Sequence, residues 1–169
     1  SLLVASEQIT SSLFGYGSFD LNSVKNSSKA LFYFAFGLPA FALIKIFSAF
    51  LFARQNTKVP FYFSVVSVLI NIAISITFFN KIGFIIIPIA TTISSWVNTT
   101  LLFFFLNYKN YFSLNKDLFF SFLKILCAST LSAYLFYIFI ENFPYLFSYE
   151  TDYKFIWIII TVIIVILIY

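Results

Sequence analysis

The 169-residue chain is 62% hydrophobic and 9% charged, with a mean hydropathy of +0.99, whereas soluble domains carry roughly 25% charged residues. A net charge of +4 from scattered lysines lacks the clustered basic face of a nucleic-acid binder. With no histidine and a single cysteine, Cys127, the ligand set of ordinary zinc sites is excluded, and that cysteine reads as an inert small apolar residue.

Long Phe/Ile/Leu/Val runs between short polar breaks predict helical membrane spans, because barrel strands would alternate in polarity over about ten residues. The fold class is all-α: a polytopic transmembrane bundle of about five full spans and one partial N-terminal span. Residues 1–14 read as the end of a first helix, broken at "GYG", where two glycines in three residues favour a turn. A second helix, 21–54, has Asn22 or Ser23 as candidate N-cap. Gly37 and Pro39 are its hinge candidates, since proline removes one backbone bond and crowds the preceding turn. A third helix covers 60–79, with Pro60 suited to its first turn, and "NKIG" leads tightly into a fourth, 84–107. "NYKNYFSLNKD" is a wetter loop before a fifth helix, 117–140. "ENFPYLFSYETDY" is the longest polar break, before a sixth, 154–169. The chain starts at Ser1 with "SLLVASEQITSSLF" and stops inside an apolar run at Tyr169; both ends read as cut, so the C-terminal part of a longer protein is expected.

Alternating spans put Arg54, Lys58, Lys109, Lys116 and Lys124 on one side and Lys25, Lys29, Lys81 and Lys154 on the other. The positive-inside rule narrowly places the first set in the cytoplasm. Arg54, the only arginine, reads as the anchor of a cytoplasmic helix end, where its charge also suits the helix dipole.

Polar residues inside the spans fall in register. Ser64, Ser67, Asn71 and Ser75 form one helical stripe; Thr91, Thr92, Ser95, Asn98 and Thr99 form another, and the two stripes are expected to face each other. Such residues either glue helices together or line a hydrated path, for which Ser67, Asn71, Ser95 and Asn98 are the candidates. Lys45 is the sharper case. It lies nine residues before Arg54, about 13.5 Å along a helix axis, hence near the middle of a roughly 30 Å core. A charge there is expensive and faces a bundle interior or a watery cavity. Ala42, Ser48, Ala49 and Ala53 share its face. It either faces a cavity or pairs with a carboxylate such as Glu7. No nucleophile–base pair, phosphate-cradling glycine loop or metal cluster is visible, so neither catalysis nor a cofactor or metal is expected.

"LFGYGSFD", "GLPAFALIKIFSAFLFARQNTKVP", "VVSVLIN" and "SSWVNTTLL" resemble the C-terminal region of the MurJ (MviN) lipid II flippases, in the superfamily of multidrug and oligosaccharide-lipid exporters. The likeness is densest over 13–108. It implies helices nine (partial) to fourteen of a fourteen-helix protein of the bacterial inner membrane, carrying an undecaprenyl-diphosphate-linked peptidoglycan precursor across by alternating access. It further implies a cationic cavity built mostly by an N-terminal half outside this chain, and a tail groove on the last two helices. Lys45 matches the family's lysine and Arg54-Gln55 its "ARQ". Ala49 departs from a common proline and Tyr16 from a common arginine. The rival readings are an O-antigen or multidrug exporter of the same superfamily and a non-transporting membrane scaffold.

Overall fold

A computed structural model describes residues 3–15, 20–111, 116–143, 145 and 154–168. Among them the regular elements are α1 (Ser6–Phe14), α2 (Leu21–Ala53), α3 (Lys58–Ile82), α4 (Ile86–Tyr108), α5 (Lys116–Asn142) and α6 (Lys154–Ile168), with a 3-10 turn at Gly83–Ile85. Tyr16 and Gly17 of the expected first turn, residues 112–115, and most of the break between 143 and 154 lie outside the described residues. The first helix starts at Ser6 rather than at the chain start, because residues 3–5 form a turn and bend. At α2 the cap is neither Asn22 nor Ser23: the Ser23 N–H donates to Asp20 Oδ1 at 2.9 Å, so Asp20 is the N-cap and satisfies an otherwise orphaned amide. α2 then runs unbroken through Pro39.

Among the described residues, three stretches are long and apolar enough to cross a membrane: Leu21–Ala53, Lys58–Tyr108 and Phe120–Asn142. The middle one, 51 residues, is two helices joined at Gly83. There the backbone takes φ 73° and ψ −153°, a region open to glycine but costly for other residues. Pro60 and Pro88 both fall in the first turns of their helices, where no N–H is required. The chain is thus a multi-pass helical membrane protein; the described α6, 15 residues, is by itself shorter than the roughly 20 residues a pass needs.

The chain divides into two compact units, one of residues 33–113 and one of residues 1–32 with 114–169. In the first, Phe47 and Leu51 of α2 close on Leu102 and Leu106 of α4, with Val59 and Phe63 of α3 packed alongside. α2 and α4 end alike. Asn56 N–H donates to Leu51 O and Gln55 N–H to Phe52 O; Tyr111 N–H donates to Leu106 O and Asn110 N–H to Asn107 O. These are two Schellman motifs, with Gln55 (φ 56°) and Asn110 (φ 54°) in the left-handed position that glycine usually fills. The residue that heads each motif, Leu51 or Leu106, is a buried core residue. In the second unit, Ile9 of α1 and Phe139 and Ile140 of α5 pack on Ile158 of α6, and Ser11 and Ser12 of α1 are buried small residues that allow close approach.

Candidate functional site

α3 and α4 are held together by side chains that each helix would otherwise leave unpaired in lipid. Ser67 Oγ donates to Ser94 O at 2.6 Å. The Asn71 amide donates to Thr91 Oγ1 (3.1 Å) and Ser94 Oγ (3.3 Å), while its Oδ1 accepts from Ser75 Oγ (3.3 Å). Asn71 is therefore the hub of an interhelical network, and Ser94, absent from the stripe read in the sequence, is its partner. The spacing signal was available, because Ser94 lies one turn after Thr91.

The α4 stripe is not one face but two. Thr91, Ser94, Ser95 and Asn98 border a cleft shared with α3. Thr92, Trp96 and Thr99, which lie roughly 100° around the helix from Thr91, Ser95 and Asn98, turn to α2. Thr92 Oγ1 donates to Tyr33 O at 2.8 Å and Trp96 Nε1 to Phe36 O at 3.1 Å, while the single proton of Thr99 Oγ1 is shared between Ala40 O at 3.1 Å and Ser95 O of its own helix at 3.0 Å. These three donors, spaced by four and three residues, meet acceptors spaced by three and four that bracket Gly37 and Pro39. Gly37 is what lets the helices approach: a Cβ there would stand 3.1 Å from Thr92 Oγ1 and 3.1 Å from the Phe41 ring. The two hinge candidates thus lie on a stretch of α2 that α4 grips from both sides.

The cleft bordered by α2, α3 and α4 has a volume of about 330 Å³, and Ser67, Asn71, Ser95 and Asn98 all line it. Asn98 is 5% exposed and its Oδ1 is buried with no hydrogen-bond partner. Lys45 does not line this cleft. It is exposed on α2, one turn after Phe41, which borders the cleft, and three residues before Ser48, which borders a second cleft of about 610 Å³ at the α2–α3 connection. No carboxylate occurs between residues 33 and 113, so within this unit Lys45 has no buried acid to pair with. Because α2 is continuous to Ala53, the separation of about 13.5 Å between Lys45 and Arg54 applies without correction.

Arg54 does more than end a helix. Its guanidinium lies 4.1 Å from the centroid of the Tyr111 ring and 4.8 Å from that of Phe50. It ties the C-terminal ends of α2 and α4 together on one side of the unit, opposite the Gly83 turn. A planar, weakly hydrated guanidinium suits this aromatic bracket, where an ammonium would not stack.

The comparisons with known proteins point one way. The family described as "Lipid II flippase MurJ" matches residues 1–158. A "Probable lipid II flippase MurJ" of Rhizobium meliloti (strain 1021) is 32% identical over 141 residues, 83% of this chain and 26% of that protein. A protein of the same name from Thermotoga maritima is 34% identical over 93 residues, 55% of this chain and 20% of the relative. Among solved structures, "Lipid II flippase MurJ, inward closed conformation" superposes with a TM-score of 0.79 at 27% identity, covering 99% of this chain and 32% of the other. The chain therefore spans about a fifth to a third of the length of these proteins. Neither the exporter nor the scaffold reading is favoured by these likenesses.

Proposed function

Because the chain belongs to the MurJ lipid II flippase family, we propose that it is the C-terminal part of an alternating-access flippase of the bacterial inner membrane. The substrate is an undecaprenyl-diphosphate-linked peptidoglycan precursor. Such a lipid presents a doubly charged phosphate head that must cross the membrane interior and a long apolar tail that need not. The transport step makes and breaks no covalent bond; what the protein supplies is a wet, cationic route for the head.

The observation that carries the reading on this chain's own residues is Lys45. It is an exposed cation on a helix face that passes from one polar-lined cleft to the next, in a unit with no carboxylate, and its spacing from Arg54 supports a position near mid-membrane. A charge so placed has its strongest effect on an anion, because the low-dielectric surroundings screen it little. Ser67, Asn71, Ser95 and Asn98 furnish the polar wall beside it, with the unpartnered Asn98 Oδ1 able to accept from water or from the sugar hydroxyls of a passing head group. Arg54 holds the cytoplasmic end of α2 and fixes the depth of Lys45. The missing counterpart is a larger N-terminal part of the protein, which closes the route from the other side.

The test is complementation of a flippase-depleted bacterium by the full-length protein carrying Lys45→Ala, with Lys45→Arg as the charge-retaining control and membrane abundance measured for each. Loss of growth with Lys45→Ala and its retention with Lys45→Arg is the expected result. Full growth with Lys45→Ala at normal abundance would remove Lys45 from the mechanism.

A further inference from the structure

Hydroxyls in membrane helices ordinarily return their proton to a carbonyl of their own helix or of a neighbour. Between residues 33 and 111, Ser67, Ser75, Thr77, Thr91, Thr92 and Ser94 all donate within the protein, and so do Ser95, Thr99 and Thr100. The hydroxyls of Ser48, Thr57 and Ser64 do not. They come from three separate places, mid-α2, the connection and α3, yet all three line one cleft of about 610 Å³ at the α2–α3 connection. Its charged group is Lys58, and its wall includes the rings of Phe52, Phe61 and Tyr62. The volume falls within the ~300–1,000 Å³ of small-molecule sites.

Three unspent hydroxyl donors and one ammonium call for a ligand rich in acceptors and negatively charged. The unit offers no carboxylate to answer Lys58. Thr57 gives no side-chain cap to α3, so its hydroxyl stays at the mouth beside Lys58. Ser64 lies six residues, about 9 Å, along α3 from Lys58, and Ser48 lies five residues, about 7.5 Å, along α2 from its last residue, Ala53. The order of groups inward from the membrane surface is therefore cation and hydroxyl, then two hydroxyls, with aromatic rings along the wall.

That sequence matches a phosphoglyceride, and we propose that the α2–α3 cleft binds an anionic membrane phospholipid. The phosphate accepts from Lys58 Nζ and Thr57 Oγ1, the glycerol ester carbonyls accept from Ser48 and Ser64, and an acyl chain lies against Phe52 and Phe61. Lys45, Ser67, Asn71, Ser95 and Asn98 do not line this cleft, although Ser64 borders both clefts, and lipid retention is read without any transport, so failure of this proposal is distinguishable from failure of the flippase reading.

The test is native mass spectrometry of the full-length protein titrated with phosphatidylglycerol or with phosphatidylcholine. The wild type is expected to retain phosphatidylglycerol preferentially. Lys58→Gln combined with Ser48→Ala and Ser64→Ala should weaken phosphatidylglycerol binding at least tenfold and leave phosphatidylcholine binding within twofold. Unchanged phosphatidylglycerol binding, or an equal loss for both lipids, would overturn the proposal. Ser64→Cys gives a readout that does not depend on the triple variant folding. Alkylation at that position should slow at least threefold when phosphatidylglycerol is added. Alkylation that is blocked in its absence, or indifferent to it, means that protein covers the cleft, or nothing does.

Discussion

Replacing Thr92 and Thr99 by valine and Trp96 by phenylalanine strips three donors from α4 while leaving each α2 acceptor carbonyl within an unbroken helix. No buried group is orphaned, so the loss measures the bonds themselves rather than the penalty of an unpaired carbonyl. Interhelical side-chain bonds in membranes average about 0.6 kcal/mol, with a maximum near 1.7. Thr99 shares its proton with Ser95 O on its own helix, so the three together should cost about 1–2 kcal/mol, and less than about 5 even if the other two reach that maximum. Because neighbouring rungs are three and four residues apart, the single variants should not sum perfectly. Thr100→Val is the control: its hydroxyl donates only to Trp96 O on its own helix, and its loss should be near zero. Denaturant unfolding of the full-length protein in mixed micelles reads the differences. A triple variant no less stable than Thr100→Val would refute the idea that α4 grips the Gly37–Pro39 stretch through these bonds.

Gly37→Ala places a methyl group 3.1 Å from Thr92 Oγ1, a hydroxyl pinned by its own bond to Tyr33 O. The change should destabilise the wild type and do so less in a Thr92→Ala background, where the Phe41 ring at 3.1 Å is the remaining close contact and offsets part of the helix-propensity gain of up to about 1 kcal/mol; the same mutant cycle in micelles checks the reduction. Arg54→Lys keeps the charge but loses the stack on Tyr111 and Phe50, worth about 0.5–1 kcal/mol, and should be read by the same unfolding assay. Gln55→Gly relieves a left-handed non-glycine residue that costs about 1–2 kcal/mol, and should raise the unfolding midpoint. The Ser23 hydroxyl and N–H, both bonded to Asp20, hold its carboxyl below the ordinary carboxylate range. Its contribution is therefore present at neutral pH and is lost as pH falls through the depressed value. Asp20→Ser, a neutral cap, should flatten the acid limb of a stability-versus-pH profile, and an unchanged limb would show that the cap bond contributes nothing to it.

Hydropathy and punctuation made the helices legible, because Pro60, Pro88 and Gly83 each act through local backbone chemistry that needs no neighbour. The α3 stripe was legible for the same reason: one period, one face. Where two periods overlap, the reading blurs. Thr91 and Thr92 are adjacent in sequence but serve different partners, and only the presence of helices on two sides of α4 separates them. Ser94 and Trp96 escaped because a serine and an indole look like filler until a carbonyl stands opposite. The bracket of Arg54 by Tyr111 depends on two helices ending in matching turns, a coincidence of geometry between positions 57 residues apart. Asp20, Asn22 and Ser23 are all good cap residues, and the N–H that is actually bonded decides among them.

The network around Asn71 bears on how the protein is made. An asparagine-bearing helix released alone into lipid would carry an amide with nowhere to donate, whereas α4 holds the hydroxyl groups that meet it and follows after only the Gly83 turn. The two segments are thus suited to leave the translocon together as a helical hairpin, each masking the other's polar groups before any later helix is synthesised. Residues whose bonds look merely structural in the finished protein would then act first during biogenesis, and Asn71→Leu would change the cost of inserting α3 before it changed anything in the assembled bundle.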